Sequence, residues 1–328
     1  MASIKLPLTG LQYSTHRGGY YLGSSEDILL SKEFKKKING KVQLILTSPP
    51  YPLNAKKSYG NLQGEEYLNW IKSLVPIFED LLTENGSLVV ELGNSWEPNR
   101  PVQSLLALEA LMAFTKAENS KLRLIQQFIC YNPSRLPSPA QWVTINPIRT
   151  VDSFTHVWWF AKDDYPKANN TKVLRPYSKS MKKLLEKGKY NSGKRPSEHN
   201  INATSFLNDR GGSIAHNLFE LEPIDLKREV RLPFNTFSFA NTSSNDFFHK
   251  ICKLHNITPH PARMPMELAD FFINFLTDEN DLILDPFGGS NTTGFCAAKN
   301  QRQWISIDAS KKYIEQSKLR FEDPIFKE

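Results

Sequence analysis

The chain has 328 residues, 40% of them apolar, with 20 Phe and 6 Trp, enough to bury a sizeable core and to exclude general disorder. Its net charge is +7, and no apolar run approaches the ~20 residues that span a membrane. The opening ten residues lack the apolar core of a secretory signal, and three widely spaced cysteines (Cys130, Cys252, Cys296) make no disulfide framework. A reducing cytoplasm is therefore the expected compartment, with no membrane partner.

The predicted elements run as follows. Val42 to Leu46 reads as a buried strand running into Thr47-Ser48-Pro49-Pro50-Tyr51. Tyr67, Trp70, Ile71, Leu74, Phe78 and Leu81 recur at helical spacing, with a kink expected at Pro76. Leu88 to Leu92 follows an Asn85-Gly86 break and reads as a strand; Leu105 to Phe114 reads as a helix. Ile125 to Tyr131 and His156 to Ala161 are further strands. After a polar, basic stretch, Met266 to Leu276 is helical, and the strand Leu282 to Leu284 enters Asp285-Pro286-Phe287-Gly288-Gly289. The strand Trp304 to Ile307 then ends at Asp308, and a helix follows over Lys311 to Leu319.

Strands alternating with helices predict an α/β fold, a doubly wound, mostly parallel sheet. The alternation fails from about Asp163 to Asn245. Three units are expected: a core portion over 1–162, an inserted module over 163–245, and a second core portion over 246–328.

The excess charge is local. Arg175, Lys179, Lys182, Lys183, Lys187, Lys189, Lys194 and Arg195 face the single acid Glu186, so residues 175–195 alone carry +7 and the remainder balances to zero. Such a cluster suits a polyanion, and a solvated lysine-rich helix is the alternative reading.

Two stretches carry chemistry. Ser48-Pro49-Pro50-Tyr51 ends a buried strand, at the edge where open α/β sheets bind ligands. Its two prolines fix the backbone and remove two amide donors, leaving carbonyls as acceptors beside a hydroxyl and an aromatic ring. That set suits a planar heterocycle bearing an amine; a plain turn is the alternative. The second stretch, Asp285 to Gly294, is a strand, a glycine-rich turn and a helix start, a geometry that admits a ligand close to the backbone. Asp308 follows Asp285 at roughly the ~20-residue spacing at which an acid meets ribose hydroxyls. No Gly-Lys-Ser/Thr follows the glycines, which disfavours an NTPase loop, and an acid before the turn favours a ligand with a cationic amine. His249, Cys252, His255 and His260 have zinc-ligand types but no framing cysteine pair, so no metal is expected.

Taken together, Thr47-Ser-Pro-Pro-Tyr51 and Asp285-Pro-Phe-Gly-Gly-Ser-Asn-Thr-Thr293 resemble motifs IV and I of the amino-methyltransferases of DNA. Motif IV comes first, as in the permuted beta class, and His260-Pro-Ala-Arg-Met-Pro265 is similar to motif X. Blocks at Tyr59-Gly-Asn-Leu62, Asn132-Pro-Ser134, Leu136 to Pro139, Val157 to Phe160, Pro176 to Ser178, Met181 to Leu184 and Gly211 to Ile214 resemble the Pvu-type cytosine-N4 branch, whose site is CAGCTG.

The resemblance implies a Rossmann-like methyltransferase core with 163–245 as DNA target-recognition region. It implies S-adenosylmethionine as cofactor and double-stranded DNA as substrate, modified after base flipping within a bacterial restriction-modification system beside a cognate endonuclease. Asp285, Pro286, Phe287, Gly288, Gly289, Ser290, Asn291 and Thr292 would line the cofactor pocket, Asp308 would bind its ribose, and Arg263 would cover its methionine end. Ser48, Pro49, Pro50 and Tyr51 would hold the flipped base, with Glu91 relaying the released proton through Ser48. Arg175, Lys179, Lys182, Lys183, Lys194 and Arg195 would meet phosphates, and base readers are sought among Arg135, Gln141, Asn191, His199, Asn202 and Arg210.

Two positions depart from the family pattern. Ser24, in Leu22-Gly-Ser-Ser25, stands where an acid is usual, and Asp308 stands where Glu is usual. Ser48, rather than Asp or Asn, favours cytosine over an N6-adenine target. A catalytically silent DNA-binding relative and a nicotinamide oxidoreductase are the remaining alternatives.

Overall fold

The computed structural model describes residues 6–51, 62–132, 135–222, 237–240, 247–260 and 263–325. Of the blocks quoted above, Tyr59-Gly60-Asn61, Pro133-Ser134 and Pro261-Ala262 lie outside the described residues, as do 223–236 and 241–245 of the basic insertion.

The chain opens with β1 (Leu11–Thr15) and β2 (Gly18–Leu22), then α1 (Ser25–Leu30), α2 (Lys32–Ile38), β3 (Val42–Thr47), α3 (Gly64–Leu81) and β4 (Leu82–Gly93). Next come α4 (Leu106–Lys116), β5 (Arg123–Tyr131), β6 (Phe154–Ala161), α5 (Lys179–Lys187), and the short strands β7 (Gly193–Lys194) and β8 (Asn200–Ile201). The remainder supplies β9 (Leu218–Glu222), β10 (Phe237–Ala240), α6 (Phe247–Leu254), α7 (Met266–Leu276), β11 (Leu282–Asp285), α8 (Thr292–Lys299), β12 (Gln303–Asp308) and α9 (Lys311–Ser317).

Ten strands form one sheet in the order β1-β2-β12-β11-β3-β4-β6-β5-β9-β10. The run β2-β12-β11-β3-β4 is parallel throughout. β6 is antiparallel to both neighbours, so β5 regains the common direction, and β9 and β10 continue it. The carboxyl ends of β2, β12, β11, β3, β4 and β5 therefore share one edge with the start of β6.

Both faces of the sheet are covered. α3 and α4 pack Tyr67, Ile71, Phe78, Ala110 and Phe114 against Val42, Ile45, Val90, Trp158 and Leu284. α7 and α8 pack Leu268, Phe272, Ile273 and Phe295 against Leu44, Leu46, Val89, Ile283 and Trp304. Strands so covered read as unbroken apolar runs, which is why β3 and β11 are legible in the sequence.

Several differences from the sequence-based expectation have local causes. α3 runs as one helix through Pro76. β4 begins at Leu82 rather than Leu88, because the Asn85-Gly86 break is absorbed as a register shift against β3 between Val42 and Leu44. The β1–β2 hairpin is not evident from sequence, since Gly18-Gly19 reads as a strand breaker. Gly18 is required there: a Cβ would sit 2.2 Å from the Trp304 carbonyl oxygen of β12. Residues 218–222, expected in the inserted module, pair with β5 in the main sheet.

Gly18→Ala is accordingly expected to lower stability by about 1–3 kcal/mol through overpacking against β12, read as a shift of the urea midpoint. An unchanged midpoint would contradict the close β2–β12 approach.

Candidate active site

Thr47 is the last residue of β3 and Asp285 the last of β11, the neighbouring strand. The Thr47 hydroxyl donates to Asp285 Oδ1 at 2.8 Å, and the Phe287 amide donates to the same oxygen at 3.1 Å. One carboxylate thus ties the turn that starts at Ser48 to the turn that starts at Pro286. Burial pushes its pKa up to about 6, against the pull of hydrogen bonds such as that from Thr47.

Between the two turns lies a cavity of about 590 Å³. Ser48, Pro49, Pro50, Tyr51 and Glu91 line one part; Asp285, Pro286, Phe287, Gly288, Gly289, Ser290, Thr292, Asp308 and Arg263 line the rest. A volume of that order suits a cofactor-sized ligand.

The glycine turn is built for a close ligand. Gly289 has φ +48, the left-handed region that disfavours a side chain, and its amide donates to Asp308 Oδ2 at 2.9 Å. The Ser310 amide donates to Asp308 Oδ1 at 2.7 Å. Each oxygen of this half-buried carboxylate keeps a lone pair for a further donor. Burial raises the Asp308 pKa, opposed by those two amides. Phe287 packs against Trp70, centroids 5.4 Å apart, and Trp70 donates its indole N–H to Glu26.

Asn291 requires a correction. It is fully buried with φ 57, accepts from the Ser306 hydroxyl at 2.7 Å and donates to the Tyr13 hydroxyl at 2.8 Å. It shapes the turn from behind and does not line the cavity, because its amide is consumed by β12 and β1. Ser24 does line the cavity, and its hydroxyl accepts from the Asp27 amide at 3.1 Å as the cap of α1.

On the opposite wall, the Ser48 hydroxyl reaches the Tyr51 hydroxyl at 3.4 Å. The Tyr51 ring lies against Gly93, where a Cβ would come within 2.7 Å of it. Glu91 is buried near the end of β4 and accepts from Thr155 Oγ1, at the start of β6, at 3.2 Å. Burial pushes its pKa up to about 7, offset in part by Thr155 and Arg135. Ser48 and Glu91, expected to form a proton relay, line the same cavity, with Ser48 paired to Tyr51 and Glu91 to Thr155. Cys130, Arg135 and Thr155 also line this wall and are not recognisable as one group from sequence, because they come from β5, the loop after it and β6. Behind them, His156 is held between Asn94 at 2.9 Å and Gln127 at 3.1 Å.

The basic residues of 175–195 lie outside the cavity lining. Lys179, Lys182, Lys183 and Lys187 are exposed along α5, which Ser178 caps and Gly188 ends. Lys194 lies in β7; Arg195 rests over the Tyr190 ring at 5.7 Å and donates to the Asn191 carbonyl at 2.8 Å. Arg175 is pinned through its backbone to Ser213 in both directions at 2.8 Å. None of the six residues expected to meet phosphates lines the cavity. Among the described residues no cluster of His, Cys, Asp and Glu is arranged to hold a metal, and no helix is long and apolar enough to cross a membrane.

A strand-end acceptor turn and an acidic glycine turn facing one crevice define the methyltransferase arrangement of an α/β sheet. Residues 42–319 match the DNA methylase family, and the chain belongs to it. The type II methyltransferase M.PvuII of Proteus hauseri is 38% identical over 313 residues, 95% of this chain and 85% of that protein. The solved PvuII DNA methyltransferase, described as cytosine-N4-specific, superposes with a TM-score of 0.70 at 32% identity, covering 97% of this chain and 90% of that one. M.HpaI of Haemophilus parainfluenzae is 34% identical over 105 residues, about a third of each chain.

Glu91 bears on stability with a definite sign. A carboxyl raised from 4.5 to about 7 on folding makes the native state bind more protons between those values, so stability falls as pH rises through that window. Glu91→Gln should therefore be more stable than wild type at pH 8, by on the order of 2–3 kcal/mol, and no more stable at pH 4. Urea unfolding at the two pH values checks this.

Proposed function

We infer that this protein transfers a methyl group from S-adenosylmethionine to the exocyclic N4 of a cytosine flipped out of duplex DNA. The observation that carries the reading is the Thr47–Asp285 hydrogen bond, which sets the acceptor turn and the glycine turn on one cavity.

The residues present fit the cofactor. Asp285 and Asp308 give this end of the cavity a negative field suited to a cationic ligand, and the spare lone pairs of Asp308 suit a ribose diol. Gly288, Gly289, Ser290 and Thr292 would border it, Phe287 and Trp70 would offer aromatic walls, and Arg263 would close the far end. When bound, it supplies a methyl group already activated on a sulfonium centre.

The remaining work is alignment and proton handling. The Ser48 hydroxyl and the Pro49 carbonyl would accept the two amine hydrogens of the cytosine, freeing its nitrogen lone pair from the ring, while Tyr51 stacks on the base. Glu91, buried with a pKa near neutrality, would take the proton that the amine loses. Serine at position 48 and the cytosine-N4-specific description of the solved PvuII enzyme support cytosine over adenine.

The lysines of α5 and the basic residues of the β7–β8 hairpin would bind phosphates, with the part of 163–245 that precedes β9 as the recognition region. CAGCTG is the first target to test, and the expected setting is the cytoplasm of a bacterium carrying a cognate endonuclease.

Tritium transfer and nucleoside analysis test the reaction: N4-methylcytosine is expected, and N6-methyladenine alone would overturn the cytosine assignment. Ser48→Ala should lower the single-turnover rate by ~10²–10³-fold with cofactor affinity unchanged. The wild-type rate should rise with pH through about 7, as the Glu91 carboxylate forms, and Glu91→Gln should lose that limb. Replacing Lys179, Lys182 and Lys183 with Ala should reduce the slope of log affinity against log salt by about 0.9 for each phosphate no longer neutralised.

A further inference from the structure

Extruding a base leaves a gap in the stack and an unpaired partner, at a cost of a few kcal/mol. Proteins that kink or open a duplex commonly fill such a gap with an apolar side chain. The loop between β5 and β6 offers one next in sequence to the cavity-lining Arg135.

Leu136 is 80% exposed, and Ile145 and Ile148 on the same loop are 66% and 65% exposed. Their exposure does not come from a shapeless loop. Trp142 N donates to the Pro139 carbonyl at 3.0 Å, and Ile148 N and Arg149 N both donate to the Trp142 carbonyl, at 3.1 and 2.9 Å. Arg149 pairs with Asp152 at 2.8 Å and reaches the Pro101 carbonyl at 3.3 Å, fastening the loop to the body of the protein.

Within this folded loop, Leu136 is placed most pointedly. Its neighbour Arg135 lines the cavity beside Glu91 and Thr155, and donates to the Phe154 carbonyl at 3.4 Å. Pro137 follows directly, which restricts Leu136 to an extended backbone and holds its side chain on a stiff mount. What distinguishes Leu136 from the other exposed apolar side chains is its place, one residue from the pocket assigned to the flipped base.

We propose that Leu136 enters the duplex as the target cytosine leaves it, filling the vacated place in the stack, while Ile145 and Ile148 rest against the adjoining groove. The proposal depends on the methyl-transfer reading above. Leu136 is a positioning residue in this scheme: it touches neither cofactor nor reacting amine.

The test compares wild type, Leu136→Ala and Leu136→Met in single-turnover methylation of two duplexes. One has the target cytosine paired with guanine, and the other has it mismatched, so that extrusion is already easy. A fluorescent cytosine analogue at the target position reports extrusion directly. Leu136→Ala should be at least 10-fold slower on the paired duplex, with a smaller fluorescence rise, yet within 2-fold of wild type on the mismatched one. Leu136→Met should recover most of the rate on the paired duplex. Leu136→Ala equal to wild type on paired DNA overturns the proposal, and so does an equal drop in rate on both substrates. Wild-type protein that methylates neither duplex nor plasmid DNA rejects the methyl-transfer reading itself, and the wedge with it; failure of the wedge prediction alone leaves that reading intact.

Discussion

A buried hydrogen bond from Thr47 to Asp285, residues 238 positions apart, ties the two halves of the site together. Each closes its strand, and the strands are immediate neighbours, so the bond holds two departing loops at a fixed separation. Leaving a carboxylate at this depth is unfavourable unless its oxygens are served, and the Thr47 hydroxyl and Phe287 amide serve one of them. Removing Thr47 would take away the direct side-chain link between the two turns. Everything assigned to the cavity, from Ser48 to Asp308, is arranged outward from that contact.

Strand adjacency, rather than chain order, brings the two turns together. β3 lies between β11 and β4, with β12 and β2 beyond, and all five point the same way. Ligand chemistry concentrates at one edge because every strand end there delivers a loop. β6 is the exception that completes the site: running the other way, it brings Thr155 at its start to the level where Glu91 nears the end of β4. The Glu91 carboxyl is thereby enclosed, which holds its proton affinity near neutrality.

Much of this is legible in the amino-acid order. The doubly covered strands β3 and β11 are unbroken apolar runs, and the Met266–Leu276 periodicity matches α7 residue for residue. Both turn motifs are visible because proline and glycine constrain backbone locally. What stays hidden depends on distant pairing. β2 carries Gly18-Gly19, and only the close approach of Trp304 explains why a strand there needs glycine. Cys130 and Thr155 join Glu91 through cross-strand neighbours that no local window contains. Asn291 sits inside the most informative motif of the chain, yet its side chain is spent on Ser306 and Tyr13, a direction that composition and spacing do not encode.

The contact between Gly93 and Tyr51 sets a dimension of the cavity by what is absent. The aromatic ring fills the volume that any side chain at position 93 would claim, so one wall is recessed by about the depth of a methyl group. A residue of the turn after β3 and the residue that closes β4 thus share a single allotment of space. The breadth available to an incoming heterocycle is decided jointly, and neither residue can be enlarged without narrowing the room left for it.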